Sequence, residues 1–414
     1  MLRVYMLLAF KVLQRRKFYT FISLFCISVT LMVVLLVSSL IENITHPPGA
    51  ERNSERFLAV EKMSITAANG RSNQRTQPGY QFLNAVIKPM ETPELTSIFS
   101  TRSQVSGFRN EKAIKSQLKR TDSQYWKILQ FDFIEGRPFS ETEAKQGQHV
   151  VVISEDTARQ YFDENSALGQ SITVGGEIYQ VIGVVENVSV LHWNASADIW
   201  VPLFANASTA FTQQAMGGFM GLIMAETPEQ IPAMKKEFNK RLAAYKHPDP
   251  KNWPVVVASA NSKFEQIARL FSKDLDVPPK TKELTMGIMI TMVLFMLLPT
   301  INLVNLNISR ILERASEIGV RKSFGARSTH LISQFMLENI ILTCIGGVIG
   351  FVLTLLCMYL ISVSGVVPFH SFEINFRVLA VAISVILFFG ILSGVYPAWK
   401  MSRMNPINAL KGAI

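Results

Sequence analysis

The stretch that decides the fold is "ERASEIGVRKSFGARSTHL", residues 313–331. It holds two acids, three arginines, a lysine and two glycines, and it lies between two long apolar runs. Such a charged interlude fits a loop lying on a membrane, a nucleic-acid-binding helix or a catalytic lid. Its flanks decide among them. The run 284–309 on one side carries no charge and holds Pro299. The run 333–363 on the other carries only Glu338, in its first turns. Two further uncharged runs occur at 18–41 and 378–399. Each of the four is long enough to cross a bilayer as a helix, which takes about 20 apolar residues.

The charge distribution orients these spans. The chain has 414 residues, is 49% apolar and 17% charged, and has a net charge of +10. Soluble domains average about 25% charged residues. Residues 42–283 carry 27 basic and 27 acidic side chains and are neutral. The excess sits beside the apolar runs: five basic residues and no acid in 1–17, five basic against two acidic in 309–333, and three basic from Lys400 onward. A nucleic-acid-binding protein carries its charge on a folded face. Lys and Arg beside apolar runs mark cytoplasmic loops instead. The reading is four transmembrane helices, with the N-terminus, the 310–332 loop and the 400–414 tail cytoplasmic. Segment 42–283 and the 364–377 turn lie outside. The first run exceeds the apolar core of a signal peptide and is followed by no Ala-x-Ala site, so it reads as a retained anchor. The three cysteines, Cys26, Cys344 and Cys357, fall in the apolar runs. The external domain therefore has to fold on its own core rather than on disulfides.

That domain reads as α/β. "HVVVISEDTARQYF" places a β-branched strand before Ser154, an N-cap for a short helix. "QSITVGGEIYQVIGVVENV" gives two alternating strands joined at Gly175-Gly176. "GLIMAETPEQIPAMKKEFNKRLAAYKH" reads as strand, turn and helix, with Ile231, Met234, Phe238 and Leu242 on one face. Residues 64–80, rich in Ser, Asn, Gln, Thr and Gly, read as an exposed loop. "NSKFEQIARLFSKDL" places Phe264, Ile267, Ala268 and Phe271 at helical spacing ahead of the second span, with a break at Pro278-Pro279. No HExxH, GxSxG or CxxC pattern is present, and no catalytic or metal-binding group is expected. His192-Trp193 reads as a packed or surface aromatic pair before a ligand pair, and the acids of 135–143, alternating with Arg137, as a solvated face.

The charged stretch with its continuation "ISQFMLENIILTCIGGVIG" resembles the FtsX-like permease signature as it occurs in the MacB family of ABC transporters. The resemblance rests on Arg314, Glu317-Ile318-Gly319, Arg321-Lys322, Gly325-Ala326, Glu338 and the Gly346-Gly347 and Gly350 cluster. The ending "SGVYPAWKMSRMNPINALK" is similar to that family's ending. "YWKILQFDFIEGRPF", "VVVIS", "LGQSITVGGEIYQVIGVV" and "IWVPL" resemble the MacB periplasmic core domain in the same order. The resemblance implies an α+β membrane protein of the type VII ABC superfamily. Its four helices would carry a large α/β periplasmic domain inserted between the first and second. That domain would divide into Porter-like parts at about 57–120 and 218–260, a Sabre-like insertion at about 121–217 and a stalk at about 261–283.

The chain begins 17 residues before its first span and contains no GxxxxGK[ST] phosphate loop. The expectation is a permease subunit that is not itself an enzyme. ATP and Mg would be bound by a separate ATPase dimer, and this chain would hold no cofactor. The resemblance implies mechanotransmission. ATPase closure would move the membrane helices and through them the periplasmic domain, expelling substrate through a periplasmic adaptor and a TolC-like outer-membrane channel. Further partners would be a second permease copy or paralogue and membrane lipid, in a bacterial inner membrane. Lipoprotein extraction of the LolC/LolE type and FtsX-like signalling to a cell-wall hydrolase share much of this architecture.

Within the opening stretch, Glu317 and Arg321 are spaced for a helical ion pair, and Gly325 is a helix stop ahead of a new helix near Ser328. By charge alone it is a juxtamembrane helix on anionic headgroups. With the family signature it becomes the ATPase-coupling element, carried by Glu313, Arg314, Glu317, Ile318, Gly319, Arg321, Lys322 and Gly325. Gly346, Gly347 and Gly350 suit close helix packing in the membrane, although glycine is common there. Glu338 suits snorkelling or an Arg pair, with a proton site as the alternative. Residues 1–17 suit an interfacial helix or a plain orienting flank.

Overall fold

The computed structural model describes residues 17–70, 72–109, 112–205, 208–272, 275, 277–313, 320 and 328–363, with 377, 380, 383–385, 387, 388, 391 and 395 beyond. Three long helices occupy the first three apolar runs, at Lys17–Thr45, Thr281–Glu313 and Ser328–Val363. Among the described residues two segments are long and apolar enough to cross a membrane, Thr20–Thr45 and Asn339–Val363. The fourth run, 378–399, lies largely outside the described residues. The chain divides into two compact units, one spanning Asn43–Leu284 and the other holding the helices on either side of it.

The Asn43–Leu284 unit is built on strands β1 (Phe57–Val60), β2 (Met63–Thr66), β3 (Asn73–Thr76), β4 (Leu95–Ser100), β5 (Ser103–Arg109), β6 (Lys112–Thr121), β7 (Phe133–Gly136), β8 (Val150–Ser154), β9 (Ser171–Val174), β10 (Glu177–Val185), β11 (Ile199–Pro202), β12 (Phe219–Met224) and β13 (Val255–Ala258). Ten of them form one sheet in the order β1-β12-β4-β6-β11-β8-β10-β9-β5, with β7 on β10. Because β5 also pairs with β6, the strands β6, β11, β8, β10, β9 and β5 close into a ring. Inside it pack Leu118, Val151, Ile153, Val174, Val181 and Val201, all buried. The alternation of β9 and β10 places Ile172, Val174, Tyr179 and Val181 on that inner side, while Ile178 is exposed. Their turn needs left-handed backbone at both central residues, which Gly175 (φ 60°) and Gly176 (φ 88°) supply.

Elsewhere the sheet is covered by helices. On one face of β1, β12 and β4 lie the helices Tyr80–Val86 and Ile231–Ala244, which bury Phe82, Leu83, Met234 and Phe238. On the other, Trp126 and Tyr125 from the turn Tyr125–Ile128 pack with Phe57, Phe99, Phe139 and Trp200. Ser154 ends β8 and caps the helix Glu155–Phe162 by accepting from the Thr157 amide at 3.3 Å.

One expectation changes. Residues 64–80 are not a loop: β2 and β3 form an antiparallel hairpin with β13 on the far side of β2. The sheet ladder is a backbone interaction, so it tolerates the polar run Asn-Gln-Arg-Thr of the exposed edge strand β3. The border expected at 120/121 has no break in the ladder. β6 ends at Thr121, where it pairs with β4 and β11 together. The structure thus runs the ladder continuously across the expected Porter-to-Sabre border.

In the other unit Ile27, Leu31 and Leu342 are buried together. Trp200, wholly buried at the centre of the sheet, is the strongest single anchor of the Asn43–Leu284 unit. Truncation of a buried tryptophan to alanine costs about 3–5 kcal/mol. Trp200→Ala is expected to lower stability by that amount in thermal unfolding of the full chain in mild detergent, followed by near-ultraviolet circular dichroism.

Candidate functional site

The first long helix ends at Thr45, and a short turn, Gly49–Glu51, carries the chain into the sheet. Glu51 is fully buried. One of its oxygens accepts the backbone amides of Asn194 at 3.0 Å and Ala195 at 3.1 Å. The other accepts the Lys263 ammonium, itself 2% exposed. Lys263 opens the helix Lys263–Leu270, which Ser262 and Glu265 cap reciprocally. This helix precedes the long helix beginning at Thr281. The two partners are 212 residues apart in sequence. One therefore follows the first membrane-type helix, and the other precedes the next.

Both hold the segment between β10 and β11. The Lys263 ammonium stands 3.9 Å over the Trp193 ring, a cation–π arrangement. The Trp193 indole donates to Gln266 Oε1 at 2.8 Å. From β6, the buried Lys119 ammonium donates to the carbonyls of Trp193 at 2.8 Å and Asn194 at 2.6 Å. The Tyr125 hydroxyl donates to the carbonyl of Asn194 at 2.8 Å. Five side chains from three separate parts of the chain, Glu51, Lys119 with Tyr125, and Lys263 with Gln266, thus fix residues 193–195. Burial pushes the Glu51 carboxyl up, but Lys263, His192 and the Ala195 amide outweigh it, so the group stays below its usual value of 4.5. Burial takes the Lys119 ammonium well below its usual range, against the pull of Glu51. The charged groups of the cluster are buried, and among the described residues no group of His, Cys, Asp and Glu is placed to hold a metal ion. Its chemistry is that of a clamp.

The helix Lys263–Leu270 forms where the helical spacing of Phe264, Ile267, Ala268 and Phe271 places it, with Ala268 buried and Phe264 and Ile267 half-buried, and it buries polar side chains as well. Lys263, Gln266, Ala268 and Arg269 are buried, while Phe271 is 69% exposed. Lys263 and Gln266 find partners across the fold, Glu51 and Trp193, and Arg269 donates to the nearby Val277 carbonyl at 2.6 Å, none of which the apolar periodicity reports. His192 is buried and Trp193 half-buried, as parts of the clamp. Arg137 pairs with Glu143 at 2.8 Å on an exposed face.

Of the other residues singled out from sequence, Glu313 ends its helix. Arg314, Glu317, Ile318, Gly319, Arg321, Lys322 and Gly325 lie outside the described residues. Gly346, Gly347 and Gly350 sit on the buried side of the helix Ser328–Val363. A Cβ at 346 would stand 2.7 Å from Ile27, and one at 350 would stand 2.8 Å from the Ser28 carbonyl oxygen. The Ser28 hydroxyl donates to the Gly346 carbonyl at 3.0 Å. These two helices therefore touch at backbone distance, which small residues permit.

A folded α/β unit set in the chain between membrane-type helices, with its entry and exit strapped together, defines the class: an α/β domain anchored by long apolar helices. The MacB-like periplasmic core domain pattern matches residues 20–241, and the FtsX-like permease C-terminal pattern matches residues 289–406. The chain belongs to the MacB-like, FtsX-type family of ABC transporter permeases. Among relatives, the uncharacterized ABC transporter permease YknZ of Bacillus subtilis is 24% identical over 314 residues, covering 76% of this chain and 74% of that one. The macrolide export ATP-binding/permease protein MacB of Hahella chejuensis is 26% identical over 366 residues, covering 88% of this chain and 50% of that one. The chain thus spans about half the length of that relative. The crystal structure of the periplasmic region of MacB from Actinobacillus actinomycetemcomitans aligns over 52% of this chain with a TM-score of 0.36 and 19% identity.

Removing one partner of a buried ion pair costs about 3–5 kcal/mol, whereas removing both charges costs far less. Lys263→Met is expected to destabilise the full chain by that amount. Glu51→Gln/Lys263→Met, which keeps an acceptor for the Asn194 and Ala195 amides, is expected to recover most of it in thermal unfolding. A carboxylate held low in the folded state contributes stability above its unfolded value, and that stability is lost as the pH falls through the folded value. Wild-type chain should therefore lose stability on acidification below pH 4.5 more steeply than the double variant.

Proposed function

We propose that the chain is the permease subunit of a MacB-like exporter in a bacterial inner membrane. A separate ATPase dimer, binding ATP and Mg, drives it from the cytoplasmic side through the 310–332 loop. Two permease subunits pair, and ATPase closure displaces their membrane helices. The large domain, on the periplasmic face, follows and pushes cargo into an adaptor and a TolC-like outer-membrane channel. The observation that carries this reading is the clamp. The chain leaving the first membrane-type helix and the chain entering the next are locked to one segment by a buried Glu51–Lys263 pair. A displacement of either helix then moves the domain rather than unravelling its edge.

The order of the two matched regions, periplasmic core and then FtsX-like permease, supports the same reading. The macrolide-export name of the Hahella chejuensis relative supports a natural product as cargo, and a peptide product is the proposal here. The close contact at Gly346 and Gly350 supports a role for the two helices as one moving body.

The coupling role assigned to Glu313, Arg314, Glu317, Ile318, Gly319, Arg321, Lys322 and Gly325 is open to direct test. Glu317→Lys reverses a charge in the 310–332 loop, and Gly325→Trp adds bulk to it. Each is expected to lower ATPase co-purification by about tenfold, the equivalent of about 1.4 kcal/mol, and to abolish export while membrane insertion is unchanged. Full ATPase association together with full export in both variants would sink the coupling role.

A further inference from the structure

Short lengths of chain tie the helix Lys263–Leu270 to both of the long helices that flank the Asn43–Leu284 unit. Its first residue, Lys263, holds Glu51, six residues beyond the end of the first long helix at Thr45. Its last residue, Leu270, stands eleven residues before Thr281, where the next long helix begins. This end of the unit also carries its barest apolar side chains. Among the described residues 43–284, Phe271 at 69% and Leu270 at 68% are more exposed than any other large apolar group, and Val277 is 47% exposed. Single exposed apolar groups are ordinary, whereas neighbouring ones mark a contact surface.

The segment is pinned rather than frayed. The Phe271 amide donates to the Ala268 carbonyl at 3.2 Å, and the Ser272 amide to the Arg269 carbonyl at 3.3 Å. The Arg269 guanidinium donates to the Val277 carbonyl at 2.6 Å, and Leu275 is buried. The segment therefore folds back on the end of its helix with Leu270, Phe271 and Val277 left on the outside.

Chain length points to what covers them. The uncharged run of the next helix starts at Leu284. The Leu284 amide donates to the Lys280 carbonyl at 3.0 Å, so Lys280 stands one helical turn outside that run, about 6 Å. The polar layer beside the hydrocarbon of a bilayer is about 5–8 Å thick. Lys280, Lys282 and Glu283, all exposed, thus fall at headgroup depth. Val277 is three residues further out, at most about 11 Å, and the Arg269 bond draws the end of the helix to it.

We propose that Leu270, Phe271 and Val277 rest in the interface of the lipid bilayer on the domain's side, and that lipid is the partner that covers them. Phe and Leu are the side chains that interfacial segments bury about 5–10 Å into that layer. The contact sets the height of the helix that carries Lys263 above the hydrocarbon. It requires only that the helix Thr281–Glu313 stands in a bilayer, and not that the chain exports anything.

The test uses the full chain, carrying Cys26→Ala, Cys344→Ala and Cys357→Ala, in phosphatidylcholine nanodiscs. A nitroxide is attached in turn at Phe271→Cys, Val277→Cys, Leu294→Cys and Phe108→Cys. Leu294 lies within the apolar run, and Phe108, 64% exposed, lies on β5. Power-saturation electron paramagnetic resonance compares collisions with oxygen, which concentrates in lipid, and with a nickel chelate, which stays in water. Oxygen is expected to dominate at Leu294, Phe271 and Val277, with a shift to nickel at Phe108. Nickel dominance at Phe271 or Val277, with oxygen still dominant at Leu294, would overturn the interfacial contact and leave the span intact. A label at 271 shielded from both colliders would overturn it as well, because protein rather than lipid would then cover the segment. Nickel dominance at Leu294 would remove the span from the bilayer, and the contact with it.

Discussion

The buried Glu51–Lys263 pair is the constraint on which the rest of the Asn43–Leu284 unit depends. Taking a carboxylate and an ammonium out of water costs several kcal/mol for each ion. The pair persists because Glu51 also accepts two backbone amides, and because the Trp193 ring faces the lysine. Such a pair adds little net stability compared with an apolar substitute of equal volume. What it adds is intolerance of separation: pulling either segment away leaves a bare charge in the interior. Apolar residues would hold the same segments together but would let them slide. A clamp between the end of one long helix and the start of the next benefits from a contact that holds fully or not at all.

The sheet behind the clamp extends that rigidity. β6 is a ten-residue strand that meets β5, β11 and β4 in turn. The six-stranded ring and the sheet flanked by helices therefore share one strand, and neither can rotate without breaking ladder hydrogen bonds. Lys119 lies on this strand and reaches the clamp segment through its two carbonyl contacts.

Local features were legible from sequence where one short segment contains both halves of the interaction. Gly175-Gly176 between alternating strands reads as a hairpin because the turn and its flanks are contiguous. Ser154 reads as a cap because its acceptor and the Thr157 amide are three residues apart. The β2–β3 hairpin escaped for the opposite reason. Its outer strand is polar and its pairing is made by backbone atoms, which composition does not report. The helix Lys263–Leu270 was legible as a helix, yet its spacing did not report which polar side chains it buries. Periodicity ranks apolar residues as inward-facing, and here Lys263, Gln266 and Arg269 go inward.

By itself the sequence determined the long apolar helices, the neutral domain between them, the basic segments that flank them and the family. These depend on composition and on motifs that stand in one piece. The tertiary structure alone decided that Glu51 meets Lys263 and that Lys119 meets the segment between β10 and β11. The physical reason is that a buried charge is tolerated only where its partner arrives. Partners 212 residues apart are brought together by closure of the whole sheet, which no local pattern encodes.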